Sequence, residues 1–196
     1  MAGALARKGI TPNLVSVISV VFALAGAGAM VASRYSDDVG VEVLFVTAAV
    51  CIQLRLVCNL LDGMIAMEHG LKSKVGDLFN EIPDRIADPV FLLGAGYASG
   101  SECGLTLAWV AAILAVGTAY IRVLGGSLGV KQDFCGPFAK QQRMFFLTLT
   151  LLAAAVETLT TGTAWVLPIG LGVIAAGTAV TVVRRSVRLA RELQAR

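Results

Sequence analysis

The sequence predicts an all-α integral membrane protein, a bundle of six transmembrane helices with both termini in the cytoplasm. Hydrophobic residues make up 57% of the 196 residues and charged residues only 15%, too few to cover a soluble domain of this size. Six apolar stretches are each long enough to cross a bilayer, which takes about 20 helical residues. Because no Pro/Ser-rich linker or low-complexity tract divides the sequence, we expect one domain, residues 1–196.

The six predicted spans follow one another along the chain with short connections. The first is about as long as a full bilayer crossing, which favours a retained helix over a cleaved signal peptide. Glycine and alanine recur throughout the spans, as expected where helices approach closely in a membrane. In chain order the predicted spans are residues 13–33, 40–66, 76–98, 104–126, 142–160 and 163–184.

Basic residues indicate the orientation of the bundle. They lie before the first span, between the second and third, between the fourth and fifth, and after the sixth, whereas the opposite loops are mainly acidic. Loops rich in Lys and Arg stay in the cytoplasm. We therefore expect a multi-pass protein of the cell (inner) membrane, with its functional site facing the cytoplasm.

Polar residues are concentrated at the cytoplasmic ends of the second and third spans. Asn59 and Asp62 precede the connecting loop, and Asn80, Glu81 and Asp84 follow it at a similar depth. Charge within a membrane helix is costly and usually functional. Side chains with this many oxygen atoms suit Mg²⁺, Mn²⁺ or Ca²⁺ better than zinc. The sequence therefore predicts a metal site between these two spans.

Two other interpretations of the acidic residues stay open. In the first interpretation, their sole role is to form buried salt bridges with Arg55, Arg85 and Arg122, although the acidic groups outnumber these cations. They could also belong to a small ion or solute transporter, which would explain charge inside a membrane. An ion path, however, favours the middle of the bilayer, whereas these residues lie near one face.

The spacing of these residues resembles a known signature. Asn59-Leu-Leu-Asp62-Gly63-Met-Ile-Ala66-Met67, followed by Gly76-Asp-Leu-Phe-Asn80-Glu-Ile-Pro-Asp84, is similar to the D-x-x-D-G-x-x-A-R and G-x-x-x-D-x-x-x-D blocks of the CDP-alcohol phosphotransferases. Thr11-Pro12-Asn13 before the first span and the six spans fit the same family. Asn59, Asn80 and Met67 replace two aspartates and an arginine, and Gly136-Pro-Phe-Ala-Lys140-Gln-Gln-Arg143 resembles an element of a bacterial branch with these replacements.

The resemblance implies transfer of a phosphatidyl group from CDP-diacylglycerol to an alcohol, with release of CMP. It also implies Mg²⁺ or Mn²⁺ as cofactor, membrane-lipid partners, a homodimer and no nucleic acid. Carried over by position, the catalytic candidates are Asp84, as the base, and Asp62. The candidate metal ligands are Asn59, Asp62, Asn80, Asp84 and Glu81. The candidate nucleotide contacts are Gly63, Ala66, Gly76 and Asn13, and the candidate phosphate or acceptor contacts are Lys140, Arg143 and Arg122.

Because of the two asparagines, the resemblance leaves open how many metal ions bind and whether the protein is catalytically active. Each keeps a carbonyl oxygen, but together they remove two negative charges, so metal affinity should fall or one of two sites should be lost. Glu81 or Asp77 could restore charge if the third helix is slightly rotated. Alternatively, the chain is a catalytically degenerate family member that binds nucleotide-lipid or a partner without turnover. The alcohol is not predicted, although the basic residues favour a phosphorylated one.

Overall fold

The computed structural model describes residues 11–36, 40–68 and 76–196 of the chain. Within these ranges the chain forms α-helices and no strand, in agreement with the predicted all-α class. The helices are α1 (Pro12–Ala32), α2 (Val41–Glu68), α3 (Gly76–Ala98), α4 (Glu102–Ser127), α5 (Lys140–Thr160) and α6 (Val166–Gln194).

Five of the six helices are long and apolar enough to cross a membrane. The exception is α3, because its first half holds five charged residues, Asp77, Glu81, Asp84, Arg85 and Asp88. Length and composition thus confirm five of the predicted spans. The sixth helix also continues ten residues past the predicted end at 184. This additional segment is basic and consists mainly of good helix formers, so the helix does not end where the apolar residues end.

The first helix is fixed at its start by local chemistry. Thr11 accepts a hydrogen bond at its Oγ1 from the Leu14 amide at 3.3 Å, and Pro12 occupies the first helical position. Both are standard features of a helix N-terminus, since Thr satisfies a free amide and Pro has none to satisfy. The segment Thr11-Pro12-Asn13 therefore begins α1.

The packing of α1 explains how a polar site fits between α2 and α3. These two helices scarcely touch each other, whereas α1 packs along both of them. A Cβ on Gly26 would lie 2.7 Å from Cε1 of Phe91 on α3 and 2.9 Å from Cβ of Cys51 on α2. Because α1 approaches its neighbours this closely, it holds α2 and α3 at a fixed separation. Polar side chains fill the space that remains between them at one end of the bundle.

The other helices complete the bundle around α3. The fourth helix packs against α3 and α6, and α5 packs against α2 and α6. Small and aliphatic residues form the common core, including Leu92, Ala108, Leu147, Leu171 and Ile174, all fully buried. A cavity lined by residues of α2, α3, α4 and α5 lies beside the polar side chains.

Candidate active site

Asp84 of α3 is the centre of the polar cluster. Its Oδ1 accepts hydrogen bonds from Asn59 Nδ2 at 2.7 Å and from Arg55 Nη2 at 2.9 Å, both on α2. Its Oδ2 accepts one from the Lys140 ammonium group at the start of α5. The structure thus brings Asn59, Asp84 and Lys140 together from three helices.

A second carboxylate, Asp88, lies one turn further along α3 and is buried. Its Oδ2 accepts a hydrogen bond from Arg143 Nη2 at 2.7 Å, and its Oδ1 lies 3.0 Å from Arg55 Nη2, an ion pair without hydrogen-bond geometry. Arg143 also donates from Nη1 to the Phe138 carbonyl at 3.1 Å. Hydrogen bonds within the protein therefore already use two nitrogen atoms of Arg143, although its side chain also lines the cavity. Asp88 is not among the site residues that the sequence predicts.

Asp62 occupies a separate, buried position one turn after Asn59 on α2. Its Oδ2 accepts a hydrogen bond from Ser16 Oγ of α1 at 2.7 Å. Its Oδ1 has no hydrogen-bond partner among the residues that the structure describes. A buried carboxylate oxygen without a partner is costly, and a bound cation is one of the few groups that satisfies it. Ser16 was not predicted, since a serine in an apolar helix gives no signal of a partner 46 residues away.

Glu81 pairs with cations in the structure. One of its carboxylate oxygens accepts from Arg85 on the same helix and the other from Arg122 of α4. The Arg122 guanidinium also lies over the Phe134 ring, 4.9 Å from its centroid. The idea that Glu81 supplies a missing charge to the metal therefore requires it to leave two arginines, so Glu81 is a weaker ligand candidate than Asp62 and Asp84.

A cavity of about 790 Å³ connects these groups. It is lined by two acidic side chains and five basic ones, so its wall is strongly positive. Apolar residues of α2 and α5, among them Leu56, Leu60 and Phe145, form another part of the wall. A cavity with this lining suits a phosphate-bearing ligand that also has an apolar part. The charged residues of the wall are Glu81, Asp84, Arg85, Arg122, Lys140, Arg143 and Arg185.

Arg185 of α6 is a part of this wall that the sequence analysis missed. It is buried and donates to three backbone carbonyls, those of Thr118 at 2.8 Å, Phe134 at 2.8 Å and Cys135 at 2.9 Å. In the sequence it is one of several basic residues that follow the sixth predicted span. Its helical spacing from the buried Thr178 and Thr181 is the signal that separates it from its exposed neighbours.

The connection between α4 and α5 is held on α6 at a glycine. Gly136 has φ 155°, and a Cβ there would lie 2.3 Å from Cγ2 of Thr181. The Phe138 amide donates to Thr181 Oγ1 at 3.0 Å, and the Phe138 ring lies against Gly177. This part of the Gly136–Arg143 segment therefore sets where α5 begins and hence where Lys140 stands.

Asp133 stabilises the same connection. Its partial desolvation favours a higher pKa, but hydrogen bonds from the Cys135 amide and from Arg188 outweigh this effect. The pKa of Asp133 therefore lies below its ordinary value. The Arg188 Nη1 atom is 3.2 Å from Asp133 Oδ2, which links the connection to α6 at a second point.

The candidate nucleotide contacts are only partly described. Gly63 lies on an exposed face of α2, and a Cβ there would meet no atom of the described chain within 4 Å, so the space beside it is open to a ligand. Asn13 lies in the first turn of α1, three residues before Ser16. The side chains of Ala66, Met67, Asp77 and Asn80, the environment of Gly76, and His69 lie outside the described residues.

The described side chains near Asp84 include oxygen donors of the kind that bind divalent cations. Within the described ranges no group of three His, Cys, Asp or Glu side chains converges as a metal cluster. What the structure offers is the Asp84 carboxylate, the neighbouring Asn59 amide, and the unpartnered Asp62 oxygen one turn further along α2. Carboxylate and amide oxygens are ligands that Mg²⁺ and Mn²⁺ accept, with phosphate oxygens and water completing the shell.

Two known proteins are similar to this chain over most of its length. The chain is 28% identical over 199 residues to a phosphatidylinositol phosphate synthase of Streptomyces avermitilis, covering 97% of this chain and 77% of that protein. It is 27% identical over 182 residues to an uncharacterised protein of Aquifex aeolicus, covering 91% and 82% of the two chains.

The same fold occurs in solved structures. Mycobacterium tuberculosis phosphatidylinositol phosphate synthase with manganese and citrate matches with a TM-score of 0.78 and 20% identity, covering 96% of this chain and 86% of that one. Its complex with CDP-DAG matches with a TM-score of 0.77 and 20% identity, over 96% and 90% of the chains. The sequence pattern of one family matches residues 9–185, nearly the whole molecule. The chain is therefore a multi-pass membrane protein that belongs to the CDP-alcohol phosphatidyltransferase family.

Proposed function

We propose that this protein transfers a phosphatidyl group from CDP-diacylglycerol to an alcohol and releases CMP. The observation that carries the proposal is the position of Asp84, which lies with Asn59 on the wall of a basic cavity of about 790 Å³. The cavity can hold the nucleotide diphosphate, while the apolar side chains of its wall face the acyl chains. Family membership and a relative that makes phosphatidylinositol phosphate support the same chemistry.

Chemically, the alcohol oxygen bonds to the lipid-linked phosphorus, the bond from that phosphorus to the CMP oxygen breaks, and the alcohol proton goes to Asp84 Oδ2. Lys140 has to leave Asp84 for this, and a substrate phosphate is a suitable new partner for its ammonium group. A Mg²⁺ or Mn²⁺ ion held by Asn59, Asp62, Asp84 and Asn80 would offset the charge that develops on the departing CMP.

The acceptor that we propose is a phosphorylated alcohol. The wall has five basic side chains against two acidic ones, an excess that the diphosphate of one nucleotide does not use up. Lys140, Arg122 and Arg143 are the candidates for the additional phosphate, and Arg122 can release Glu81 to bind it. Glycerol phosphate and inositol phosphate fit this description better than serine.

The arrangement in the membrane forms part of the proposal. We propose one transmembrane domain over residues 1–196, in which α3 also crosses the bilayer because the other helices cover its charges. Both termini and the cavity would face the cytoplasm of the inner membrane, as the distribution of Lys and Arg predicts. The family resemblance supports a homodimer.

The direct test is CMP release from CDP-diacylglycerol by the purified protein in detergent with Mg²⁺ or Mn²⁺. A panel of alcohols with and without phosphate identifies the acceptor, and Asp84→Asn is the control because it keeps shape and removes the base. We expect CMP release that needs the metal, prefers phosphorylated acceptors and falls about 100-fold or more in Asp84→Asn. No release with any alcohol would contradict the proposal.

A second candidate is a binding protein without turnover. It is favoured by the three donors that already satisfy Asp84 and by asparagine at positions 59 and 80. The double variant Asn59→Asp with Asn80→Asp separates the two candidates. Activity that appears only in this variant indicates a degenerate enzyme, whereas loss of an activity present in the natural sequence indicates an enzyme adapted to asparagine.

A further inference from the structure

The Arg55 guanidinium is an unusual feature of the polar cluster. Its side chain is 0% exposed, in the middle of a membrane helix, and its Nη2 contacts both Asp84 Oδ1 at 2.9 Å and Asp88 Oδ1 at 3.0 Å. Its Nε and Nη1 atoms find no hydrogen-bond partner in the described part of the chain. A buried arginine that leaves donors unused is expensive, so its charge, more than its hydrogen bonds, explains its presence.

Arg55 and Lys140 differ in their freedom to leave Asp84. The Lys140 side chain is 29% exposed and borders the cavity, so its ammonium group can turn to a ligand without breaking other contacts. Arg55 is enclosed and is also held by Asp88. Of the two cations, Lys140 is therefore exchangeable and Arg55 is fixed.

The acceptor positions of Asp84 now limit what else can bind there. A carboxylate has about four lone-pair positions, two on each oxygen. Both positions on Oδ1 are taken, by Arg55 and by Asn59. When Lys140 leaves, two positions on Oδ2 are free. One divalent cation and the hydroxyl of the attacking alcohol fill them, and two divalent cations would leave none for the proton.

We propose that Arg55 is a built-in cation that stands in place of a second divalent ion, so that this chain binds one metal ion. The proposal rests on the function proposed above and assigns a positioning role to Arg55. Its fixed charge repels a second divalent ion in the low-dielectric interior and leaves the Oδ2 side of Asp84 to a single ion. A purely structural Arg55 would leave metal stoichiometry and affinity untouched.

The test is a titration of the metal-free protein in detergent with Mn²⁺ alone, with bound ion counted from the loss of the free-ion signal in electron paramagnetic resonance. We expect one Mn²⁺ per chain. Arg55→Met removes the charge, and Arg55→Lys keeps it as the matched control. Arg55→Met should bind a second Mn²⁺ or bind the first about tenfold more tightly, and Arg55→Lys should do neither.

Several outcomes would overturn the inference. Two Mn²⁺ ions per chain in the natural sequence do so without any variant. A folded Arg55→Met protein whose Mn²⁺ binding is unchanged also overturns it. If Arg55→Met fails to fold, the titration uses Arg55→Gln, which keeps a hydrogen-bond donor to Asp84 and removes the charge. One bound Mn²⁺ without CMP release supports the proposed role of Arg55 and contradicts the proposed enzymatic activity. No Mn²⁺ binding contradicts both proposals.

Discussion

At the scale of single residues, the cluster around Asp84 contains more positive charge than a metal site needs. Lys140 and Arg55 both contact this carboxylate, and Arg143 contacts the next one. Such pairs offset part of the cost of burying these charges while no ligand is present, because each buried charge has an opposite charge beside it. They also mean that substrate binding exchanges ion pairs instead of creating them in an empty cavity.

This exchange gives a prediction for Lys140. In Lys140→Met the ammonium group that competes for Asp84 is gone, so we expect Mn²⁺ to bind more tightly. The same change removes a proposed partner of the acceptor phosphate, so the KM for the phosphorylated alcohol should rise about tenfold. Mn²⁺ titration and steady-state kinetics measure the two effects. Lys131→Met, an exposed lysine of the same connection, is the control, and a change in neither quantity for Lys140→Met would contradict the exchange.

Ser16 gives a second prediction at this scale. It is the hydrogen-bond partner of the buried Asp62, so Ser16→Ala should lower the free energy of unfolding by about 1–3 kcal/mol in metal-free protein. Mn²⁺ should recover part of the loss, because the ion satisfies the buried charge of Asp62 that has lost its hydrogen-bond partner. Thermal unfolding in detergent with and without Mn²⁺ measures this.

Ser19→Ala is the matched control for Ser16, because Ser19 is equally buried on α1 but donates only to the Ser16 carbonyl of its own helix. A Ser16→Ala protein as stable as Ser19→Ala, with the same response to Mn²⁺, would show that the bond to Asp62 contributes little.

At the scale of elements, the connection between α4 and α5 is a defined structure instead of a loose loop. Arg185, Thr181 and the glycine at 136 hold it on α6 by hydrogen bonds and close contact. Because α5 begins directly after it, the connection determines where the first turn of that helix presents its basic side chains. The basic part of the cavity wall therefore depends on a fixed conformation of this connection.

We predict that Arg185→Met loosens this connection. Three backbone carbonyls lose their donor, so trypsin should cut at Lys131 faster than in the natural protein, and kcat/KM for CMP release should fall. The neighbouring Arg184→Met is the control, since Arg184 is exposed. Equal cleavage rates in the two variants would mean that the hydrogen bonds of Arg185 are not needed to hold the connection in place.

The elements also show what a sequence can reveal and what it cannot. Helical spacing and the apolar spans predicted the six helices, and a short connection between α2 and α3 predicted that Asn59 and Asp84 meet. The contacts of Lys140, Ser16 and Arg185 depend on packing between distant segments, so no local pattern indicates them. The same limit applies to the packing of α2 and α3, which scarcely touch each other because α1 packs along both.

At the scale of the whole molecule, the cysteines report the orientation in the membrane. Cys103 in the first turn of α4 and Cys135 in the connection that follows this helix are exposed, and Cys51 and Cys58 are buried. If the termini are cytoplasmic, a membrane-impermeant maleimide added to intact cells should label Cys103 and leave Cys135 unlabelled until the membrane is opened. Cys103→Ser and Cys135→Ser assign the labelled site. Labelling of Cys135 in intact cells would reverse the proposed orientation.

The separation of α2 from α3 by α1 has a consequence for how the chain enters the membrane during synthesis. A helix with five charged residues in its first half enters a bilayer poorly by itself. By the time α3 leaves the ribosome, α1 already offers a closely fitting surface, and α2 already holds Arg55 and Asn59 as partners for incoming carboxylates. If α3 crosses the bilayer as proposed, the first two helices serve as a receiving surface for it, and a defect in α1 should stop its insertion.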